Sequence, residues 1–166
     1  MDTNLFELIL SDSYIKNQAE KRILALKNYI LGGIFIDSKE KKLKEAATDN
    51  PKLDLWINSI DKKVLSKITP QNIYSTFEVL EKEIKAIEPL ILYLPYELPD
   101  EEVAQIGTKL RADYGKKFLM EITIDPSLIA GCALSFRGIY KDYSVKQKIT
   151  DNKQEILAAF RQYVKH

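Results

Sequence analysis

The spacing of apolar residues predicts helices throughout the first half of the chain. The first of them covers residues 14–31 and carries one apolar stripe at three- and four-residue spacing, which is typical of a helix that packs on one side. The stripe consists of Ile15, Ala19, Ile23, Leu26 and Ile30. Gly32 and Gly33 follow the stripe and are predicted to end the helix.

Three more helices are predicted before residue 88. A short charged helix covers residues 37–47, a second begins at Pro51, and a third begins at Thr69-Pro70 with apolar residues along one side. Four helices with short connections predict an antiparallel helical bundle.

The pattern changes near residue 88, where short β-rich runs and turn residues replace the helical periodicity. The predicted order is strand, helix, strand, strand, strand, helix, with Arg137-Gly138 forming a tight hairpin between the last two strands. The predicted strands cover residues 90–94, 117–124, 130–136 and 139–144, and the helices cover residues 99–114 and 151–164. The sequence thus predicts an α+β protein with a helical domain at residues 1–88 and a small α+β domain at residues 89–166.

Composition argues against an enzyme. The chain has one cysteine, Cys132, and one histidine, His166, too few for a disulfide, a cysteine-based zinc site or most histidine-based catalysis. No nucleotide-binding, metalloprotease or hydrolase motif occurs. We therefore predict no catalytic residue, no cofactor and no metal site, and we expect Cys132 to be a small core residue.

Nucleic-acid binding is an alternative function, because tyrosines on a sheet can stack on bases. Tyr140 and Tyr143, near Arg137, Lys141 and Lys146, would form that site. The balance of 25 basic against 24 acidic residues opposes it, since such binding needs a basic face. The basic run at residues 39–44 is interleaved with acids and is predicted to be a solvated helix face.

No apolar run is long enough to span a membrane, and the acidic N-terminus lacks the features of a secretory signal. These features predict a cytosolic, reducing environment. A mature form trimmed of an organelle transit peptide is an alternative.

One segment of the second half is more specific than composition or periodicity. Residues 124–131 read Ile-Asp-Pro-Ser-Leu-Ile-Ala-Gly, and they are followed by a glycine and an Asp-Tyr-Ser-Val-Lys element. This segment resembles the C-terminal motif of the delta subunit of F-type ATP synthases, the oligomycin-sensitivity-conferral protein family. The motif residues here are Asp125, Pro126, Ser127, Leu128, Gly131, Gly138, Asp142, Ser144 and Val145. Their chemistry predicts turn-forming, structural roles.

The resemblance implies a non-catalytic subunit of the peripheral stalk that joins the catalytic head to the stator, so that proton-driven rotation can power ATP synthesis. It implies that the N-terminal bundle binds the N-terminal helices of the alpha subunits and that the C-terminal domain binds the C-terminal helix of subunit b. It also implies peripheral association with the cytoplasmic face of a bacterial inner membrane. A protein-interaction adaptor outside ATP synthase is a further alternative.

The expected partner surfaces follow the apolar stripes. For subunit b we expect the last helix to provide the contact, and for the alpha subunits the first stripe. The residues are Ile156, Phe160, Arg161 and Val164 on the last helix, with Lys165 at its rim, and Ile15, Ile23 and Ile30 on the first. The alternative for both stripes is that they cover the protein's own core.

Overall fold

The computed structural model describes residues 3–35 and 50–163. Its described part has helices in the first half and a four-stranded sheet with helices in the second, which confirms the predicted α+β class. The predicted helix at residues 37–47, the basic run at residues 39–44, Val164 and Lys165 lie outside the described residues. The helices before the sheet are α1 (Thr3–Ser11), α2 (Lys16–Phe35), α3 (Pro51–Ser59), α4 (Lys62–Leu65) and α5 (Ile73–Ala86).

Several details of this half differ from the predictions, and the smallest is that the helix predicted from Thr69-Pro70 begins at Ile73. Helix α1 was not predicted, although Leu5, Phe6, Ile9 and Leu10 give it a buried apolar face. Helix α2 passes through Gly32 and Gly33 and continues to Phe35, so the predicted stop is wrong. A glycine inside a helix costs only about 1 kcal/mol relative to alanine, which neighbouring helical residues can offset.

Local capping and one apolar core explain the other helix positions. Asn50 caps α3 through its side chain, Pro51 takes the first helical position, and Asp61 caps α4 in the same way. The apolar faces of α1, α2, α3 and α5 share one core that includes Trp56 and Phe77. The helical region is therefore held by burial of apolar side chains.

The sheet consists of β1 (Leu90–Leu94), β2 (Met120–Ile124), β3 (Ala133–Phe136) and β4 (Ile139–Asp142), in the order β2-β1-β3-β4. β1 and β2 are parallel and are joined through helix α6 (Asp100–Tyr114), whereas β1–β3 and β3–β4 are antiparallel. Leu90, Leu92 and Leu94 form a second core with Val103 of α6. The predicted order strand, helix, strand, strand, strand is confirmed.

The chain ends in two short helices where one was predicted. Helix α7 (Val145–Asp151) begins directly after β4, and α8 (Lys153–Tyr163) follows it after Asn152. The side chain of Ser144 caps α7 by accepting a hydrogen bond from the backbone N–H of Gln147 at 3.1 Å. Helix α7 contacts the turn at residues 126–128, and α8 contacts α7.

Candidate functional site

The motif residues build a tightly bonded turn between β2 and the C-terminal helices. A carboxylate oxygen of Asp125 accepts a hydrogen bond from the backbone N–H of Ser127 at 3.0 Å, and Asp142 accepts from Ser144 N–H at 2.7 Å. In each case hydrogen bonding from the side chain of the serine two residues later, and then from its backbone N–H, lowers the pKa of the aspartate. The aspartates therefore hold the backbone as the sequence predicts.

Two motif glycines take backbone conformations that other residues rarely adopt. Gly131 has φ +83°, and a Cβ there would lie 2.6 Å from the carbonyl oxygen of Tyr143. Gly138 has φ +75° but faces open space, and with Arg137 (φ +50°) it forms the two-residue hairpin turn. Gly131 thus allows the turn to approach the chain just before α7 closely, whereas Gly138 only permits a backbone angle.

Ile129, which directly follows the turn at residues 126–128, is strained and exposed. It has φ +70° and ψ −58°, and Ala130 N–H donates to the Leu128 carbonyl at 2.8 Å, which completes a γ-turn. A β-branched residue with positive φ is an outlier, and Ile129 is nevertheless 63% exposed. The preceding residue differs from it, since Leu128 is buried and anchors the turn.

The C-terminal helices present an apolar face that the described part of the chain does not cover. In α8, Ile156 is 37% exposed, Leu157 45% and Phe160 64%. Val145 and Ile149 of α7 are also exposed, and the side chain of Arg161 lies in solvent. The alternative that the last helix covers its own sheet therefore does not hold for α8.

The first predicted surface is mostly core. Ile23 is 1% exposed and packs inside the helical region, so it cannot contact a partner while that core is intact. Ile30 packs against the same core, and Ile15 is half-buried against the core of the sheet. We therefore do not retain Ile23 as a surface residue.

The exposed surface of α2 lies next to that stripe. Leu24 is exposed and borders a groove of about 260 Å³ between α2 and α5, together with Glu20, Glu81 and Lys85. Lys27 bridges the two helices by an ion pair with Glu81 at 3.3 Å. Sequence reasoning missed Leu24, although it stands directly beside Ile23 in the sequence.

The tyrosines of the nucleic-acid alternative do not share a face with basic groups. Because Tyr140 pairs with Ser135 and Lys141 with Leu134, adjacent residues of β4 point to opposite faces of the sheet. The ring of Tyr140 packs edge-on against the ring of Tyr93. Tyr143 lies just after β4 and is exposed to solvent. Lys146 instead donates to the hydroxyl of Ser127 at 3.1 Å.

Arg137, the remaining basic group of that alternative, lies over the ring of Phe136, and its Nε is 4.0 Å from a carboxylate oxygen of Glu88. The residues named for this alternative thus do not form a joint aromatic and basic face of the kind that binds a nucleic-acid strand.

Neither metal chemistry nor thiol chemistry has a site in the described residues. Within them no group of three or more histidine, cysteine or acidic side chains is placed to hold a metal ion. Cys132 is half-buried against the sheet core, and burial raises the pKa of its thiol, which disfavours the nucleophilic thiolate. Among the helices of residues 3–35 and 50–163, none combines the length and the apolar character that a membrane crossing requires.

Comparison of the sequence with known protein families gives a match to one family. The sequence model of the ATP synthase delta (OSCP) subunit matches residues 60–156, which is more than half of the chain. The chain belongs to this family. The matched region of the delta family includes α5, the whole sheet and the turn with its aspartates and glycines.

Individual relatives agree with the family assignment. The chain is 30% identical over 86 residues to the ATP synthase subunit delta of Heliobacterium modesticaldum, covering 52% of this chain and 46% of that protein. It is 28% identical over 123 residues to the ATP synthase subunit delta of Laribacter hongkongensis, covering 72% of this chain and 61% of that protein. The chain thus matches about half to three fifths of the length of these delta subunits.

Proposed function

We propose that this delta-family chain is a non-catalytic subunit of the peripheral stalk of F-type ATP synthase, which links the catalytic head to the stator. Membership of the delta family supports the stalk role. The observation that carries the linking role is the uncovered apolar face of α7 and α8, because exposed apolar side chains that cluster on neighbouring helices are typical of a binding site. Through the complex, the chain would lie at the cytoplasmic face of a bacterial inner membrane.

The partner proposed for this face is the C-terminal helix of subunit b. An amphipathic partner helix could cover Ile156, Leu157 and Phe160, which lie on adjacent turns of α8. Complete burial of each such side chain contributes about 1.5–3 kcal/mol. Arg161 would stand at the edge of this contact, where a charge contributes more to orientation than to affinity.

The partner proposed for the helical region is the N-terminal helix of an alpha subunit, bound in the groove between α2 and α5. The exposed Leu24 supplies an apolar anchor, and Glu20, Glu81 and Lys85 supply polar groups around it. The buried Ile23 also lines this groove and would support it from the core side. Two separate contacts within one assembly raise each other's effective concentration, so that the link dissociates slowly.

Affinity capture with purified alpha and b subunits tests the proposal. We expect the chain to retain both. Phe160→Asp should abolish capture of b while alpha is retained, and Leu24→Asp should abolish capture of alpha while b is retained. Leu55→Asp is the matched control, because Leu55 is also exposed but lies on α3, outside the groove.

Failure of the unsubstituted chain to retain either subunit would overturn the stalk role. Retention of a nucleic acid in its place, lost on changing Tyr140 and Lys141 and weakened by salt, would favour the alternative function.

A further inference from the structure

The segment between α1 and α2 lies against the sheet, although it belongs to the helical region. Ile15 pairs in parallel with Met120, and Met120 N–H donates to the carbonyl oxygen of Tyr14 at 2.8 Å. Leu119, the residue before β2, is fully buried in the core of the helical region. Each region thus contributes residues to the other: Leu119 packs in the helical core, and Tyr14 and Ile15 bond to the edge of β2.

Arg111 of α6 binds the end of α1 from the sheet side. Its guanidinium donates to the carbonyl oxygens of Leu10 at 2.6 Å and Ser11 at 3.0 Å, and also to that of Ser13. The last carbonyls of a helix have no partner within the helix and carry a partial negative charge. Arg111 therefore supplies, from a different region, the donors that the C-terminus of α1 needs.

Tyr14 fits between Arg111 and the backbone of α6. The guanidinium carbon of Arg111 lies 4.5 Å from the centre of the Tyr14 ring, and the Tyr14 hydroxyl is 3.1 Å from the hydroxyl of Thr108. A Cβ on Gly107 would lie 2.3 Å from the ring, so only glycine allows this approach. The helix surface at Gly107 is thus shaped to receive Tyr14.

The same segment is also held from the helical side. Trp56 Nε1 donates to a carboxylate oxygen of Asp12 at 2.7 Å. Arg22 donates to the backbone carbonyl of Asp12 and to the hydroxyl of Ser13, which is fully buried. Residues 12–15 are consequently bonded to both regions at once.

We infer that Arg111, through Tyr14 and the carbonyls at the end of α1, locks the helical region and the sheet region into one rigid body. Regions joined by a small or wet interface move relative to each other as a rule. Two contacts oppose that motion here. The guanidinium of Arg111 is bonded to three carbonyls, and the ring of Tyr14 packs on the backbone of α6 at Gly107. The lock is a property of the isolated chain. Its use, to make the chain a linker that passes torque without bending, rests on the proposed stalk function.

The test measures the distance between spin labels on the two regions by double electron–electron resonance. Labels are placed at Tyr74→Cys on α5 and Ile139→Cys on β4, which are both 63% exposed, in a Cys132→Ala background. We expect one narrow distance distribution. Arg111→Ala should broaden the distribution beyond that of the unsubstituted chain, because relative motion is the default for regions without a large apolar interface. Lys109→Ala, an exposed position on the same helix, is the control and should leave the width unchanged.

Two further variants separate the lock from general loss of structure. Gly107→Ala pushes Tyr14 away without touching Arg111 and should broaden the distribution as well. Arg111→Lys keeps the charge but replaces the planar guanidinium, which reaches separate carbonyls and stacks on Tyr14, by one compact ammonium, so its width should be intermediate. Circular dichroism identifies the folded variants. A broad distribution in the unsubstituted chain, or an unchanged width in folded Arg111→Lys or Gly107→Ala, would overturn the inference.

The outcome is independent of the proposed function. A chain that captures alpha and b but shows a broad distribution retains the stalk role and loses the lock. A narrow distribution that Gly107→Ala broadens supports the lock even in a chain that captures neither subunit.

Discussion

Helices α5 and α8 share an amphipathic pattern but differ in what covers the apolar side. In α5, Ile73, Phe77 and Ile84 are fully buried against α2 and the rest of the helical core. In α8, the corresponding large residues Ile156 and Phe160 stay exposed. The pattern in the sequence thus indicates that a face needs a cover, but it does not tell whether the cover comes from the same chain.

That difference separates stability from binding. The burial of α5 contributes to folding, because its apolar area leaves water when the chain folds. The face of α8 contributes little until a partner covers it, and its apolar area is then available for association. Substitutions at matched positions of the two helices should therefore affect different measurements.

The largest expected effect is on the stability of the helical core. Phe77→Ala should lower the free energy of unfolding by about 3–5 kcal/mol, because it leaves a cavity in a fully buried site. Phe160→Ala removes the same atoms from an exposed site and should change the free energy by no more than about 0.5 kcal/mol. Urea unfolding of both variants measures the contrast. Equal losses would mean that α8 is part of the core.

The next effect concerns association. Phe160→Ala should weaken binding of a peptide with the sequence of the C-terminal helix of subunit b by about 2 kcal/mol, or roughly thirtyfold in Kd. Gln162→Ala, on another side of α8, is the control and should leave Kd unchanged. Isothermal titration calorimetry gives both values. An unchanged Kd for Phe160→Ala would place the contact elsewhere.

The two motif glycines, Gly131 and Gly138, should differ in how much an alanine substitution lowers the free energy of unfolding. Gly131→Ala should cost about 3 kcal/mol, because the new Cβ meets backbone as well as adopting a positive φ. Gly138→Ala has open space and should cost only about 1 kcal/mol for the backbone angle. Thermal unfolding ranks the two, and the reverse order would contradict the close approach at Gly131.

The smallest effect is a dependence on acid. The pKa values of Asp125 and Asp142 are lowered in the folded state by hydrogen bonds from the following serines, so the unfolded state binds more protons at low pH. Their contribution to stability is complete above the unfolded pKa of about 4 and is lost as pH falls through the folded values. Asp125→Asn with Asp142→Asn should flatten this part of the pH profile.

Urea unfolding between about pH 5 and about pH 2.5 measures this profile. Asp113→Asn, at an exposed position on α6, serves as the control variant. An equally steep loss of stability in the doubly substituted chain would show that other groups cause it.

Local chemistry made most of the sheet region predictable. Pro126 and the pair Arg137-Gly138 each limit the backbone to few conformations, and the structure has a turn and a hairpin at these places. The helix that starts after Ser144 was missed, since a strand was predicted up to residue 144. The strand ends were less predictable, since β2 begins at Met120 and not at residue 117. Pairing with β1 decides where β2 begins, and the β-propensities of single residues carry no information about that pairing.

Contacts between distant residues were not predictable from the sequence. The apolar spacing of α1 could have revealed that helix, but nothing local indicates that Arg111 reaches the end of α1 a hundred residues away. The burial of Ile23 and the exposure of Leu24, adjacent residues of one helix, depend likewise on how α2 packs. Such features follow from tertiary packing alone.

The central claim is that α8 binds another subunit. Photo-crosslinking from a benzophenone amino acid at position 160, in the assembled ATP synthase, tests it most directly. The account predicts a crosslink to subunit b, and the same probe at position 162 should give a much weaker product. A crosslink from position 160 only to the chain itself, or no product in an assembled complex, would contradict the claim.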